Sequence, residues 1–181
     1  MVILDVANRQ NKIGWSIIAL GTLFLQLTAL YFQYGTGLEP CIMCVYQRLA
    51  VSGIFVSAFL GHVLSRSFWG QFICHAGMMY ASGEGLTVAK EHVQKQSGES
   101  FFATCDLFPN FPSWMPLHEW IPSVFAATGD CSSIDWSLFG MSMPEWMVFI
   151  FAGFMAVQAL MLIWVIGDHA DRVRGRKKLG V

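Results

Sequence analysis

The chain has 181 residues, 55% of them hydrophobic and 13% charged, with a net charge of −1. That balance excludes an ordinary soluble domain and points to one compact domain that takes lipid as its solvent. The near-neutral net charge, by itself, says little about partners.

Four apolar runs are long enough to supply the roughly 20 helical residues that a hydrocarbon core requires: about 14–34, 44–64, 68–89 and 146–167. The first is too long for a signal-peptide core and lacks a convincing small-residue cleavage site, so it reads as a retained helix. Trp15, Tyr31, Tyr34, Trp69, Trp146 and Trp164 fall near run ends, as interfacial aromatics do. If the runs alternate, Arg9, Lys12, Arg66, Arg172, Arg174, Arg176, Lys177 and Lys178 share one side, and only Lys90 and Lys95 lie clearly on the other. The positive-inside rule then predicts cytoplasmic termini and two outward loops, about 35–43 and 90–145. The basic tail from Arg172 to Lys178 is a topology anchor in this reading, and no nucleic-acid partner is expected.

All six prolines lie in the two outward loops, as uninterrupted spanning helices require. At the end of the short loop stands Cys41-Ile-Met-Cys44, followed by Arg48. A thiol at a helix N-terminus beside a cation has its thiolate favoured by the helix dipole and by the charge. With helix two starting near Cys41, Cys44 and Arg48 stand at i and i+4 on one face. Arg48 can then stabilise a Cys44 thiolate and negative charge developing on a nearby carbonyl oxygen. Gln47 is either a hydrogen-bonding partner there or an ordinary interfacial amide.

The second and third runs carry small residues at every fourth position, Gly53, Ser57 and Gly61, then Gly77, Ala81 and Gly85. Such rows let helix backbones approach closely in lipid, and an antiparallel four-helix transmembrane bundle follows. In the long loop, the stretch from Phe108 to Phe125 mixes prolines with Trp114, Trp120 and other apolar residues. It suits a short helix in the membrane interface, with a loop packed on a small core of its own as the alternative.

Of the five cysteines, Cys41, Cys44, Cys105 and Cys131 fall outward and Cys74 inside a run, where burial makes it an inert thiol. An oxidising exterior makes disulfides the default for the outward four. A bond from Cys105 to Cys131 closes a loop of about 27 residues and is worth about 3.5 kcal/mol in the chain-entropy model. So small a ring as Cys41–Cys44 constrains little chain, which leaves a static role for that pair poorly supported. Structural zinc sites bring closely spaced ligand pairs, and the spacing from Cys105 to Cys131 is far too long, so no metal is expected. Two reactive pairs that exchange disulfides are favoured over a four-span scaffold or adhesion protein with static bonds.

Pro40-Cys-Ile-Met-Cys-Val-Tyr-Gln-Arg48, Phe102-Ala-Thr-Cys-Asp106, Pro112-Ser-Trp-Met-Pro116, Gly129-Asp-Cys131 and Met143-Pro-Glu-Trp146, in that order, resemble the DsbB family of bacterial disulfide bond formation proteins. The resemblance implies a monomeric protein-dithiol:quinone oxidoreductase of the bacterial inner membrane. It implies that Cys105 accepts attack from a reduced, DsbA-like thioredoxin-fold partner in the periplasm, with Cys131 as its disulfide mate. Electrons then reach Cys41 and Cys44, and Cys44 reacts with the quinone, ubiquinone or menaquinone, while Arg48 holds the quinone oxygen. A Cys41–Cys131 disulfide is the implied intermediate, and His92, in a Glu-His pair like the family's, is expected near the quinone. Gln47 stands where some members carry an acidic residue, and Cys74, His75 and Glu84 match no family motif.

Overall fold

The computed structural model describes residues 2–97 and 109–178, and its elements are almost entirely helical. Four long helices, α1 (Val2–Gly35), α2 (Ile42–Val63), α3 (Phe68–Gln96) and α6 (Met143–Lys178), are accompanied by two single-turn helices, α4 (Leu117–Trp120) and α5 (Pro122–Phe125). A two-stranded hairpin of β1 (Ser137–Leu138) and β2 (Met141–Ser142) leads directly into α6. Three helices contain a stretch long and apolar enough to cross a membrane: Lys12–Gly35, Ile42–Val63 and Met143–Arg172. This is an all-α membrane protein. The expected span at 68–89 is helical throughout, but Gln71, His75, Ser82, Glu84 and a row of glycines dilute its apolar character.

The long helices pack in chain order, α1 on α2, α2 on α3 and α3 on α6. The rows of small residues make the α2–α3 contact. A Cβ added at Gly53 would stand 3.2 Å from that of Ala81, and one at Gly77 would stand 3.0 Å from the Ser57 hydroxyl. The outer members of the rows receive large rings instead: Gly61 faces Trp15 of α1, and Gly85 faces Phe151 of α6. Trp15, Ile54, Met78 and Phe151 form the centre of the apolar core. One polar pair is buried beside it, His75 Nδ1 and Gln158 Oε1 at 2.7 Å, with the Trp15 ring 4.4 Å from the imidazole. Cys74 is buried, as expected of it, and Glu84 is exposed.

Local chemistry sets the starts of α2 and α6. Cys41 is the N-cap of α2, extended at φ −77° and ψ 169°, and its sulfur accepts the Cys44 amide at 3.2 Å. Ser142 precedes α6, and its backbone N–H donates to Glu145 Oε2 at 2.6 Å, half of a capping box. The hairpin before it turns through Phe139 and Gly140, both at positive φ, as a two-residue turn of this hand requires.

The aromatic stretch differs from the single short helix expected of it. Pro122 has no N–H to continue α4 and instead begins α5, so two separate turns form. Phe111 packs on Tyr46 of α2 as well as on His118 and Phe125, while Trp114 and Trp120 are 73% and 62% exposed. Cys105 and the motif 102–106 lie outside the described residues.

Candidate functional site

The α2 N-terminus brings the motif together at one end of the bundle. The Cys41 and Cys44 sulfurs are 2.8 Å apart, with Cys41 as donor. This follows from the i, i+3 spacing across an N-cap: the Cys41 side chain folds over the first turn to take the Cys44 amide, and the Cys44 sulfur lies on the same side. Cys41 is 2% exposed, whereas Cys44 is only partly buried.

Cys131 is fully buried and joins the pair through a side-chain hydrogen bond with Cys41. The segment before it is seated by backbone contact. The amides of Thr128 and Gly129 both donate to the Pro40 carbonyl, at 2.9 and 3.1 Å. A Cβ on Gly129 would run into the Glu39 carbonyl, so only glycine permits this approach. Hydrogen bonding to Cys131 and to Cys44, together with burial, pushes the Cys41 thiol far above the ordinary thiol range.

His92, near the end of α3, stands on the other side of the pair. Its Nε2 is 3.5 Å from the Cys41 sulfur and its Nδ1 is 3.2 Å from Gln47 Nε2. The imidazole also hydrogen-bonds the Cys131 backbone, so it touches both the cysteine pair and the segment that carries the third cysteine. Gln47, His92, Cys41 and Cys44 thus form one continuous hydrogen-bonded cluster. Burial lowers the His92 pKa to about 4, so the imidazole is neutral at physiological pH. Of the two readings open for Gln47, the structure takes the hydrogen-bonding one.

Arg48 is 8% exposed and well anchored. Nη1 donates to Gln33 Oε1 at 2.6 Å and to the Val124 carbonyl at 3.0 Å, and Nη2 donates to the Ala29 carbonyl at 3.1 Å. These bonds use three of the five guanidinium N–H groups and tie α1, α2 and α5 together. The guanidinium also attracts the Cys44 sulfur one turn away. The sequence pointed Arg48 at Cys44 and at a carbonyl oxygen beside it, and gave no sign of Gln33, Ala29 and Val124 as partners. A glutamine within the first apolar run was the available signal for one of them.

A cavity of about 320 Å³ opens beside this cluster. Leu25, Val51, Met147 and Ile150 share its lining with Cys44, Arg48 and His92, so a mostly apolar chamber presents a few polar groups at the cysteine pair. The arrangement can hold a flat apolar molecule against a sulfur nucleophile, with a cation and a neutral imidazole at hand. The sulfurs of Cys41 and Cys44 and a ring nitrogen of His92 also lie within 4.8 Å of one another, a donor set that the cysteine spacing alone did not reveal.

Of the predicted site residues, Cys41, Cys44, Cys131, Arg48 and His92 meet at this end of the molecule. The family profile described as "Disulfide bond formation protein DsbB" matches residues 11–161. A disulfide bond formation protein B from Yersinia pestis (strain Pestoides F) is 44% identical over 162 residues, covering 88% of this chain and 92% of the relative. One from Vibrio parahaemolyticus is 42% identical over 165 residues, covering 90% and 93%, and one from Pseudoalteromonas translucida is 44% identical over 153, covering 84% and 89%. With Cys41, Cys44 and Cys131 gathered at one end of the packed helices and this likeness running through most of its length, the chain belongs to the DsbB family of disulfide bond formation proteins.

Proposed function

We propose that this protein is a protein-dithiol:quinone oxidoreductase that renews the disulfide of a DsbA-like periplasmic partner. The observation that carries the reading is the opening of Cys44 and Arg48 onto one mostly apolar cavity, where lipid-soluble and thiol chemistry can meet. In each cycle two thiols of the partner become a disulfide, and two electrons and two protons leave through the cysteine pairs to reduce a quinone to a quinol. Thiolate attack on a disulfide sulfur, through a mixed disulfide, moves the electrons between pairs. Cys105 receives the partner, Cys131 passes the exchange to Cys41, and Cys44 delivers the electron pair in the cavity.

The residues around the cavity suit a quinone ring: apolar walls for its faces, the Arg48 cation for an oxygen that gains negative charge, and the neutral His92 beside the cysteine pair. When bound, the quinone accepts the electron pair. The chain's own residues hold Cys41 protonated, support negative charge on Cys44 and keep the pair largely out of water. In this reading four helices cross the inner membrane with both termini cytoplasmic, α3 being the fourth through its close fit between α2 and α6. The exposed Trp114 and Trp120 then rest α4 and α5 on the outer membrane interface.

The test uses purified protein, a ubiquinone analogue and a reduced thioredoxin-fold substrate. Stoichiometric loss of substrate thiols with quinone reduction is expected, with turnover abolished in Cys44→Ser. Unchanged turnover in that variant, or resistance of the Cys41–Cys44 pair to mild reductant as in a static scaffold, would sink the proposal.

A further inference from the structure

We infer that the reduced protein binds one thiophilic divalent cation, of the zinc or cadmium class, through Cys41, Cys44 and His92. The three ligand atoms already lie within 4.8 Å of one another. A tetrahedral zinc with Zn–S near 2.3 Å and Zn–N near 2.0–2.1 Å sets S···N edges of roughly 3.5 Å and S···S edges of roughly 3.8 Å. The Cys41 sulfur and His92 Nε2 stand at 3.5 Å, the required edge. The two sulfurs, at 2.8 Å, need to part by about 1 Å, a small side-chain rotation of the partly exposed Cys44.

The surroundings meet the other requirements of a metal centre. Metal-ligating histidines hold their second ring nitrogen in a hydrogen bond, and Gln47 occupies that position at Nδ1. Turning the amide by half a rotation lets its oxygen accept an Nδ1 proton, which leaves the Nε2 lone pair for the metal. Cys131, hydrogen-bonded to Cys41, is adjacent for the fourth position. The charge balance is simple: each ligating thiol gives up its proton to solvent, and the dication takes thiolates and a neutral imidazole. No electrons move.

The site exists only in the reduced state, because a sulfur committed to a disulfide has no thiolate to offer. Occupation therefore removes both sulfurs from exchange, and the metal acts as an inhibitor that captures the reduced form. This consequence rests on the relay reading, whereas the binding rests on the ligand geometry alone.

Cobalt(II) is the probe, added to detergent-solubilised, phosphine-reduced full-length protein. The expected result is one cobalt per chain with intense tetrahedral visible bands and thiolate-to-cobalt absorption, displaced by zinc and absent from the oxidised protein. Cys41→Ser and His92→Ala should each weaken binding at least tenfold. Cys131→Ser should keep the tetrahedral bands with less thiolate absorption, and Cys74→Ser should change nothing. Equal binding by oxidised protein, an octahedral spectrum, or unchanged affinity in His92→Ala overturns the site. Zinc should also halt quinone-dependent thiol oxidation, with chelator restoring it. Binding without inhibition overturns the inhibitory consequence. Failure of the metal-free protein to oxidise thiols instead strikes the relay reading, and leaves the metal site to be judged on its spectra.

Discussion

Replacing Gly129 by alanine isolates the contact that delivers Cys131 to Cys41. The added Cβ meets the Glu39 carbonyl, with the Glu39 carbonyl carbon at 3.0 Å and the Cys41 amide nitrogen at 3.4 Å, so the obstruction is backbone rather than a yielding side-chain tip. Relief requires the 128–129 segment to lift off Pro40, which breaks the Thr128 and Gly129 hydrogen bonds to that carbonyl. At about 0.5–1.5 kcal/mol each, their loss amounts to about 1–3 kcal/mol, or about a 5- to 150-fold fall in the equilibrium favouring Cys131 beside Cys41. The assay is the fraction of Cys41–Cys131 disulfide at equilibrium with a glutathione buffer, in a background carrying Cys44→Ser and Cys105→Ser. The midpoint should move toward more oxidising buffer while helical content and thermal unfolding hold. A Gly153→Ala control, where nothing lies within 4 Å of the added carbon, should leave the midpoint in place. An unchanged midpoint in Gly129→Ala would refute the view that this backbone seat sets the encounter.

Arg48→Lys keeps the charge but cannot reach Gln33, Val124 and Ala29 together. Loss of two charged hydrogen bonds should cost about 3 kcal/mol, read as a lower Tm, and should raise the quinone KM. In reduced protein, iodoacetamide should modify the partly exposed Cys44 well before the buried Cys41, as mapped by mass spectrometry. Because its pKa is raised, Cys41 stays a neutral thiol at ordinary assay pH, and its alkylation rate should still be climbing at pH values where an ordinary thiol has levelled off. Gly61→Ala sets a methyl 2.5 Å from the rigid Trp15 ring and should destabilise the fold by about 1–3 kcal/mol in thermal unfolding, while Gly21→Ala, with open space around it, should not.

What was legible in the sequence was what repeats locally. The C-x-x-C at a helix start, Arg48 one turn on and the small-residue rows are all statements about i, i+3 and i+4, and each has its counterpart in the structure. The family motifs added Cys131 and His92, but their distances to Cys41 are tertiary facts set by a loop and a helix separated from it by long stretches of chain. The bonds from Arg48 to Ala29 and Val124 go to backbone carbonyls, which carry no mark in sequence. The break at Pro122 was written plainly in the chain, yet the surrounding aromatics suggested one continuous amphipathic element. The His92 donor set was hidden because cysteine spacing was weighed without the histidine.

The glycine contacts between α2 and α3 also act as a ruler. Ser57 meets Gly77, Gly53 meets Ala81, and Cys41 meets His92, so the partner numbers rise on one helix as they fall on the other and keep nearly the same sum. Register at the middle of the bundle thereby fixes register at the thiols. A slip of one helical turn is about 5.4 Å, which would carry His92 out of reach of Cys41. Gly53 lies nine residues along the helix from Cys44, about 14 Å away. The chemistry at the sulfurs is thus calibrated by residues that never touch them, and changes in reactivity can originate where no ligand and no thiol is present.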